Sequence, residues 1–345
     1  MMGYNRRIMK FITKKQWKRI KDWIKFALAI ACVIVFVVFF IFNLWSPVRK
    51  STNIVVPNGA SVTRVTNYLY NSDIINSKEL FLFCIRMNGG KIQTGEYDIP
   101  RGAGVWTIAS MLSRGNIAIA SVTIPEGYTV KQIKTMLMNI PYLVGDVDCD
   151  NGDAVCDLHD GDIFPDTYHV ARGTSRLALL ELARKQMESV KQSLDTGEYV
   201  EPLKDWNDVM VLASIVQKET PKIKEMPIVA SVYINRLNQD MRLQADPTVV
   251  YVLTDGLGDM QGEPLLSGHL KIESPYNTYR NKGLPPAPIA NVGKDAIRAV
   301  LKPARTKYLF FVADGRGGHK FSKDYEEHLK HHNKWREIKN KRNKN

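Results

Sequence analysis

The residues best placed for chemistry follow an apolar stretch. Val209–Val216 is apolar almost throughout, and Gln217, Lys218, Glu219 and Thr220 come directly after it. Read alone, Gln217 is a polar residue at a helix end. Glu219 lies two residues further, about 200° round a helix axis, so the two side chains leave on opposite sides and Glu219 is not expected to stand in for position 217. Glu126 sits in a Pro-Glu-Gly turn and offers a second carboxylate. Turns of the same plan carry Asn58 and Arg101 in that slot, which favours a turn role. His319, His328, His331 and His332 are the ring nitrogens that could suggest a metal, but three of them lie in a charged terminal segment with no carboxylate pairing. That setting reads as a solvated face, and no metal or cofactor is expected. The loop 146–157 is rich in Asp, yet Asn151 stands where a calcium loop needs Gly and Asp157 where it needs Glu. Cys149 and Cys156 in that loop can form a disulfide in an oxidising compartment. No P-loop, dinucleotide fingerprint or Ser/His/Asp pattern competes.

These residues need elements to hold them. The apolar periodicity predicts an amphipathic helix over Arg176–Leu194, capped by Thr174 or Ser175. A second helix is expected over Asn207–Thr220. Its core is hydrophobic on every side, so it is a buried helix. A third runs over Ile228–Leu237 from a start near Pro227. Tyr308–Val312 reads as a buried strand, 314–319 as a turn into 320–322, and a charged helix runs from about 323 towards 340. Upstream, one pattern occurs three times, beginning at Val56, Ile99 and Ile124. Each copy is a β-branched residue, Pro, any residue, Gly, then Val three further on and apolar positions on one helical face. The Pro ends a strand and the Gly permits the turn. Ser61 and Thr129 can cap the helices that follow. Gly95–Ile99 supplies the strand of the second copy.

Charge and hydropathy place these parts relative to a membrane. The chain has 345 residues and a formal charge of +13. Residues 1–25 hold nine cations against Asp22, a net +8, and residues 328–345 hold seven against Glu337, a net +6. The body between them carries about −1, which argues against a duplex-binding face and hence against a nucleic-acid partner. Phe26–Phe42 is apolar without a break, and the stretch 26–45 has only Asn43 polar. A helix of that length spans roughly 30 Å, a bilayer core. It is longer than a signal-peptide core and lacks a small-residue cleavage site. The flanking cations keep the N-terminus cytoplasmic, and the rest of the chain lies across the membrane.

Several long words then carry a resemblance. Leu212–Thr220, Phe164–Tyr168, Val229–Leu237, Met241–Thr248, Ser274–Tyr279, Gly283–Pro286 and Phe311–Gly315 are similar, in this order, to the signatures of the endolytic murein transglycosylases, the MltG/YceG-like family. Residues 51–120, with the first two turn motifs, resemble a LysM-like glycan-gripping module at pattern level. The resemblance implies an α+β fold in this order: basic cytoplasmic segment 1–25, transmembrane helix 26–45, LysM-like module 51–120, catalytic domain 121–330 and basic tail 331–345. It implies cleavage of nascent peptidoglycan glycan strands between N-acetylmuramic acid and N-acetylglucosamine, leaving 1,6-anhydro ends, beside the penicillin-binding synthases that elongate them. It implies a single-pass protein of the bacterial cytoplasmic membrane with an extracytoplasmic catalytic domain.

The implied reaction needs one carboxyl, which protonates the glycosidic oxygen and then helps remove the proton of the sugar's own 6-hydroxyl. Such an acid belongs at the border of an apolar wall. By the family pattern that position is 217, where this chain has Gln. An amide cannot deliver a proton, so the resemblance implies a chain inactive as written. Asp166, Asp246, Thr248, Asn277 and Tyr279 fall in the family's motifs and are expected to line the glycan groove. Two other readings stay open: a non-catalytic glycan-binding scaffold that regulates synthases, and a membrane-tethered hydrolase that uses a different carboxylate.

Overall fold

The computed structural model describes residues 14–44, 46–147, 155–258, 260 and 262–342. The expected disulfide partner Cys149 and most of the acidic loop lie outside the described residues; Cys156 is disulfide-bonded. Two compact units divide the chain, residues 1–119 and 120–345.

The first unit begins with a long helix, α1 (Lys14–Leu44). Among the described residues no helix is long and apolar enough to cross a membrane. The expected span 26–45 runs past them, because Trp45 and the side chains of residues 38–44 are not described. Strand β1 (Thr52–Val56) follows, with Ile54 and Val56 turned into the core by the two-residue period of a strand. Helix α2 (Val62–Asn71) is capped by Ser61, which accepts from the Arg64 amide, and α3 (Lys78–Met87) by Ser77. Strand β2 (Gly95–Ile99) returns antiparallel to β1, with Thr52 opposite Ile99 and Val56 opposite Gly95. Helix α4 (Val105–Arg114) closes the unit and ends at Gly115 in a left-handed conformation. The result is a β–α–α–β core around Leu69, Phe81, Tyr97 and Leu112.

The second unit is also mixed α and β. Strand β3 (Ile119–Thr123) leads through the third Pro-x-Gly turn into α5 (Val130–Met138). Thr129 and Gln132 form a reciprocal capping box at its start. Strand β4 (Thr167–Ala171) pairs with β3, and α6 (Arg176–Leu194) is capped by Ser175 rather than Thr174. Arg176 is buried because its guanidinium caps the end of α5, donating to the carbonyls of Leu137, Met138, Ile140 and Gly145.

Helix α7 (Trp206–Glu219) starts one residue earlier than expected, since Asp205 caps it by accepting from the Asp208 amide. Every residue from Val209 to Val216 is buried. Helices α8 (Met226–Asn238), α9 (Asp246–Leu253) and α10 (Lys294–Leu301) complete the core in which α7 is enclosed. Proline in the first turn of α8 and α9 removes an amide that no helix bond would use. Strand β5 (Phe310–Ala313) pairs antiparallel with β6 (His319–Ser322), and α11 (Tyr325–Arg342) packs on that hairpin. The expected strand began at Tyr308, but the Tyr308 carbonyl is taken by the Asn235 side chain, and the ladder starts at Phe310.

Candidate active site

Two polar clusters flank the last turn of α7. They face different neighbours, as the roughly 200° between positions 217 and 219 requires.

The first cluster holds Glu219. Its carboxyl is partly buried at the end of the apolar stretch, and Tyr233 on α8 donates to its Oε1 at 2.7 Å. Burial raises the Glu219 carboxyl to about 7; the Tyr233 hydrogen bond and the nearby Arg236 charge work against that shift, and the Asp246 charge adds to it. Tyr233 is fully buried, with its ring edge-on to Phe311 at 5.9 Å. Asp246 heads α9 and accepts from the Tyr279 hydroxyl at 2.5 Å. Burial raises the Tyr279 phenol, and both Asp246 and Glu219 add to that. Arg236 is a structural cation: it donates to the carbonyls of Leu309 and Leu243 and lies over the Phe310 ring at 5.3 Å. Glu219, Tyr233, Asp246 and Tyr279 therefore form one electrostatically linked group, joined by the Tyr233–Glu219 and Tyr279–Asp246 hydrogen bonds.

The second cluster holds Gln217. Its amide donates to Glu126 Oε2 at 3.1 Å, and its carbonyl oxygen accepts from the Gly293 amide at 3.1 Å. Lys218 between the two clusters donates to the Gly127 carbonyl at 3.3 Å. Gln217 is thus held at both ends of its amide on the side of α7 away from Tyr233.

The residues expected in the groove separate. Asp246 and Tyr279 come together at Glu219. Asn277 and Thr248 do not line a groove, since both are buried. Asn277 spends both amide hydrogens on the Leu270 and Ile272 carbonyls and accepts from the Tyr279 amide, so it shapes the loop that carries Tyr279. Thr248 is bonded to the Ala245 carbonyl and the Thr278 hydroxyl, a helix-start arrangement. Asp166 is exposed before β4, where its carbonyl pairs with the Ile124 amide.

Sequence reasoning set aside Glu219 and did not single out Tyr233. Spacing held a usable signal: Tyr233 lies one residue from the middle of a buried helix, and a buried tyrosine hydroxyl needs an acceptor. The turn reading of Glu126 also missed its contact with Gln217. Among the described residues no group of three His, Cys, Asp or Glu is arranged to hold a metal. A cleft of about 700 Å³ lies elsewhere in this unit, lined by Asp160, Arg184, Trp206 and Pro288, and contains none of the Glu219 cluster.

Comparison with known proteins agrees with the motifs. The sequence model of the YceG-like family matches residues 54–334. The endolytic murein transglycosylase of Bacillus subtilis (strain 168) is 28% identical over 335 residues, covering 87% of this chain and 90% of that protein. The endolytic murein transglycosylase of Streptococcus pneumoniae serotype 2 is 24% identical over 307 residues, and the chain spans about half of it, 55%. The crystal structure of a YceG-like protein of Listeria monocytogenes is 26% identical, with a TM-score of 0.44 over 82% of this chain and 99% of that one.

Proposed function

Because this chain belongs to the YceG-like family, we propose that it is an endolytic murein transglycosylase in which Glu219 is the general acid and base. The observation that carries this reading is the Glu219 carboxyl, raised to about 7 by burial and held by Tyr233. Near neutral pH a large share of such a group is protonated, as proton donation to a leaving oxygen requires.

The steps balance with one carboxyl. Glu219 gives its proton to the glycosidic oxygen as the bond to C1 of N-acetylmuramic acid breaks. The resulting carboxylate takes the proton of the same sugar's 6-hydroxyl, and that oxygen closes on C1. No water is consumed, so a second carboxylate on the opposite face, as a hydrolase needs, is not required. Tyr233 fixes Oε1 by its hydrogen bond and leaves Oε2 for the proton. The Asp246–Tyr279 pair borders the acid, and the Asp246 charge disfavours early ionisation. The family pattern puts the acid at 217 instead, where this chain has Gln; on that reading the chain is inactive as written, and Gln217→Glu restores turnover.

The remaining parts follow from the sequence. The nine cations and the apolar stretch 26–45 support a single-pass anchor in the bacterial cytoplasmic membrane, with the N-terminus inside and the chain from about residue 51 onward outside. The β–α–α–β order of the first unit supports a LysM-like role in holding glycan. Activity on nascent strands beside penicillin-binding synthases completes the proposal.

Digestion of uncrosslinked peptidoglycan by the chain as written, with products weighed by mass spectrometry, tests it. Anhydro-muropeptide ends are expected. Reducing ends, heavier by one water, would assign a hydrolase instead, and no cleavage would leave a glycan-binding scaffold.

A further inference from the structure

We infer that the cleft between α6 and the start of α7 binds the stem peptide of an uncrosslinked peptidoglycan strand, a short peptide that carries both carboxylate and ammonium groups. The inference rests on the reading of the protein as one that acts on peptidoglycan, and not on which side chain is the acid. It starts from the walls of the cleft. On α6, Arg184, Met187, Glu188 and Lys191 have the i, i+3, i+4, i+7 spacing of one helix face, and all four line the cleft. Trp206 and Asn207, in the first turn of α7, line it too. The turn 158–162 and Pro288 complete a space of about 700 Å³.

The cleft is fixed by the fold itself. The buried Asn291 side chain accepts from the amides of Gly161 and Ile163 at 3.0 Å each. Asp160 accepts from the Val130 amide at 2.6 Å and from the Tyr251 hydroxyl at 2.8 Å, so its oxygens serve the frame. Gly161 has φ +99°, and a Cβ there would lie 3.0 Å from Pro288 Cγ, so glycine lets the turn close on that proline. Met187 and Met210 are buried and give an apolar floor. A preformed space with an apolar floor and a few convergent polar groups suits a small ligand.

The charges decide which ligand. Arg184 is already neutralised by Glu181 through two hydrogen bonds, at 2.9 and 3.0 Å. With Asp160 in the frame, the lining then holds the carboxylates of Asp162, Glu188 and Asp205 against the ammonium of Lys191, an excess of two negative charges. Among the described residues the Trp206 indole N–H, the Asn207 amide and the Lys191 ammonium have no hydrogen-bond or ion-pair partner. A neutral sugar leaves such charges unanswered. A stem peptide answers them: its ammonium meets the carboxylates, a carboxylate meets Lys191, and its methyl groups meet Trp206 and the methionines. Crosslinking turns that ammonium into a neutral amide, so the acid-rich lining favours strands not yet crosslinked.

Reach agrees with this assignment. Position 217 lies eleven residues beyond Trp206 on the same helix, roughly 16 Å along its axis. An extended peptide of four or five residues spans roughly 13–17 Å. A stem hanging from a sugar near the end of α7 can therefore enter the cleft.

Calorimetric titration of the full chain in detergent tests the inference, because binding is read without turnover. The probes are an uncrosslinked disaccharide-tetrapeptide with its side-chain ammonium free, the same compound with that ammonium acetylated, and the disaccharide without peptide. The free-ammonium compound should bind at least about tenfold more tightly than either of the others. Glu188→Lys should weaken it about tenfold and leave the acetylated compound within about threefold of the parent. Lys191→Glu should weaken both peptide-bearing compounds, and Trp206→Ala should cost about tenfold. Trp206 also packs on the core, so the two exposed charge reversals carry the test if that variant unfolds. Equal affinity for all three probes overturns the inference, as does parent-like binding in both charge reversals. Anhydro-end release is measured on the same preparations. Peptide-dependent binding without anhydro ends, from the parent or from Gln217→Glu, sinks the assigned reaction and leaves the cleft's ligand standing. Anhydro ends without peptide-dependent binding sink the cleft assignment alone, and absence of both sinks both.

Discussion

Turns of one plan occur at residues 57–59, 100–102 and 125–127, and they end in different surroundings. All three place glycine in the left-handed region, at φ +73°, +79° and +76° for Gly59, Gly102 and Gly127. Each sends its chain from a strand into a helix. In the first unit the middle residues, Asn58 and Arg101, are exposed, and a Cβ on Gly59 or Gly102 would meet nothing within 4 Å. In the second unit the middle residue is Glu126, and it reaches Gln217 and presses on Gly293. The backbone solution is shared; the use is set by what packs against it. In the first unit the turn only connects β to α around its own core. In the second it forms part of the support of α7.

Substitutions at matched positions sharpen that contrast. Among the turns and what packs on them, the largest effect is expected at Gly293→Ala, whose Cβ must displace Glu126 without any backbone strain. Turnover should fall about ten- to hundredfold, with about 1–3 kcal/mol lost in a denaturant titration. Parent-like behaviour there would show that the second-unit turn is as loosely held as the first.

The next effect is on pH dependence. Activity should decline as pH rises through about 7, because Glu219 must be protonated to act. Asp246→Asn removes a charge that raises this carboxyl, so the decline should move to lower pH. Tyr233→Phe removes a bond that lowers it, so the decline should move to higher pH. Glu126→Gln should leave it in place, and a pH–rate profile for each variant checks all three.

Stability should carry the same signature. The Glu219 carboxyl is raised from 4.5 to about 7 on folding, so its contribution is full below the unfolded value and is lost as pH rises through the folded one. Glu219→Gln should flatten the fall in unfolding free energy across that window.

The smallest effects belong to the first unit. Gly59→Ala should cost about 1 kcal/mol from backbone strain alone, with turnover unchanged. Asn58→Ala and Arg101→Ala should stay within about 0.5 kcal/mol of the parent. A loss of turnover in any of them would break the contrast between the units.

Much of this fold was readable from periodicity. The helix at Arg176–Leu194, the buried stretch Val209–Val216 and the caps Ser61, Thr129 and Ser175 occur where the sequence placed them. These features depend on neighbours within a few residues. The site was only half readable, since its pairings join residues 14 to 91 apart in sequence. The angle between positions 217 and 219 was right, yet spacing alone could not say which side of α7 met Tyr233. Asn277 and Thr248 sit inside long motifs that also contain Asp246 and Tyr279. Burial separates the two kinds, and burial depends on the folded partners.

The account stands most directly on turnover of Glu219→Gln, measured as anhydro-muropeptide release beside the parent and Gln217→Glu. The parent should release anhydro ends, and Glu219→Gln should lose about a hundred- to ten-thousandfold of that rate. Gln217→Glu should not be needed for turnover. An inactive parent that gains activity only with Gln217→Glu, or a Glu219→Gln variant that turns over like the parent, would contradict it.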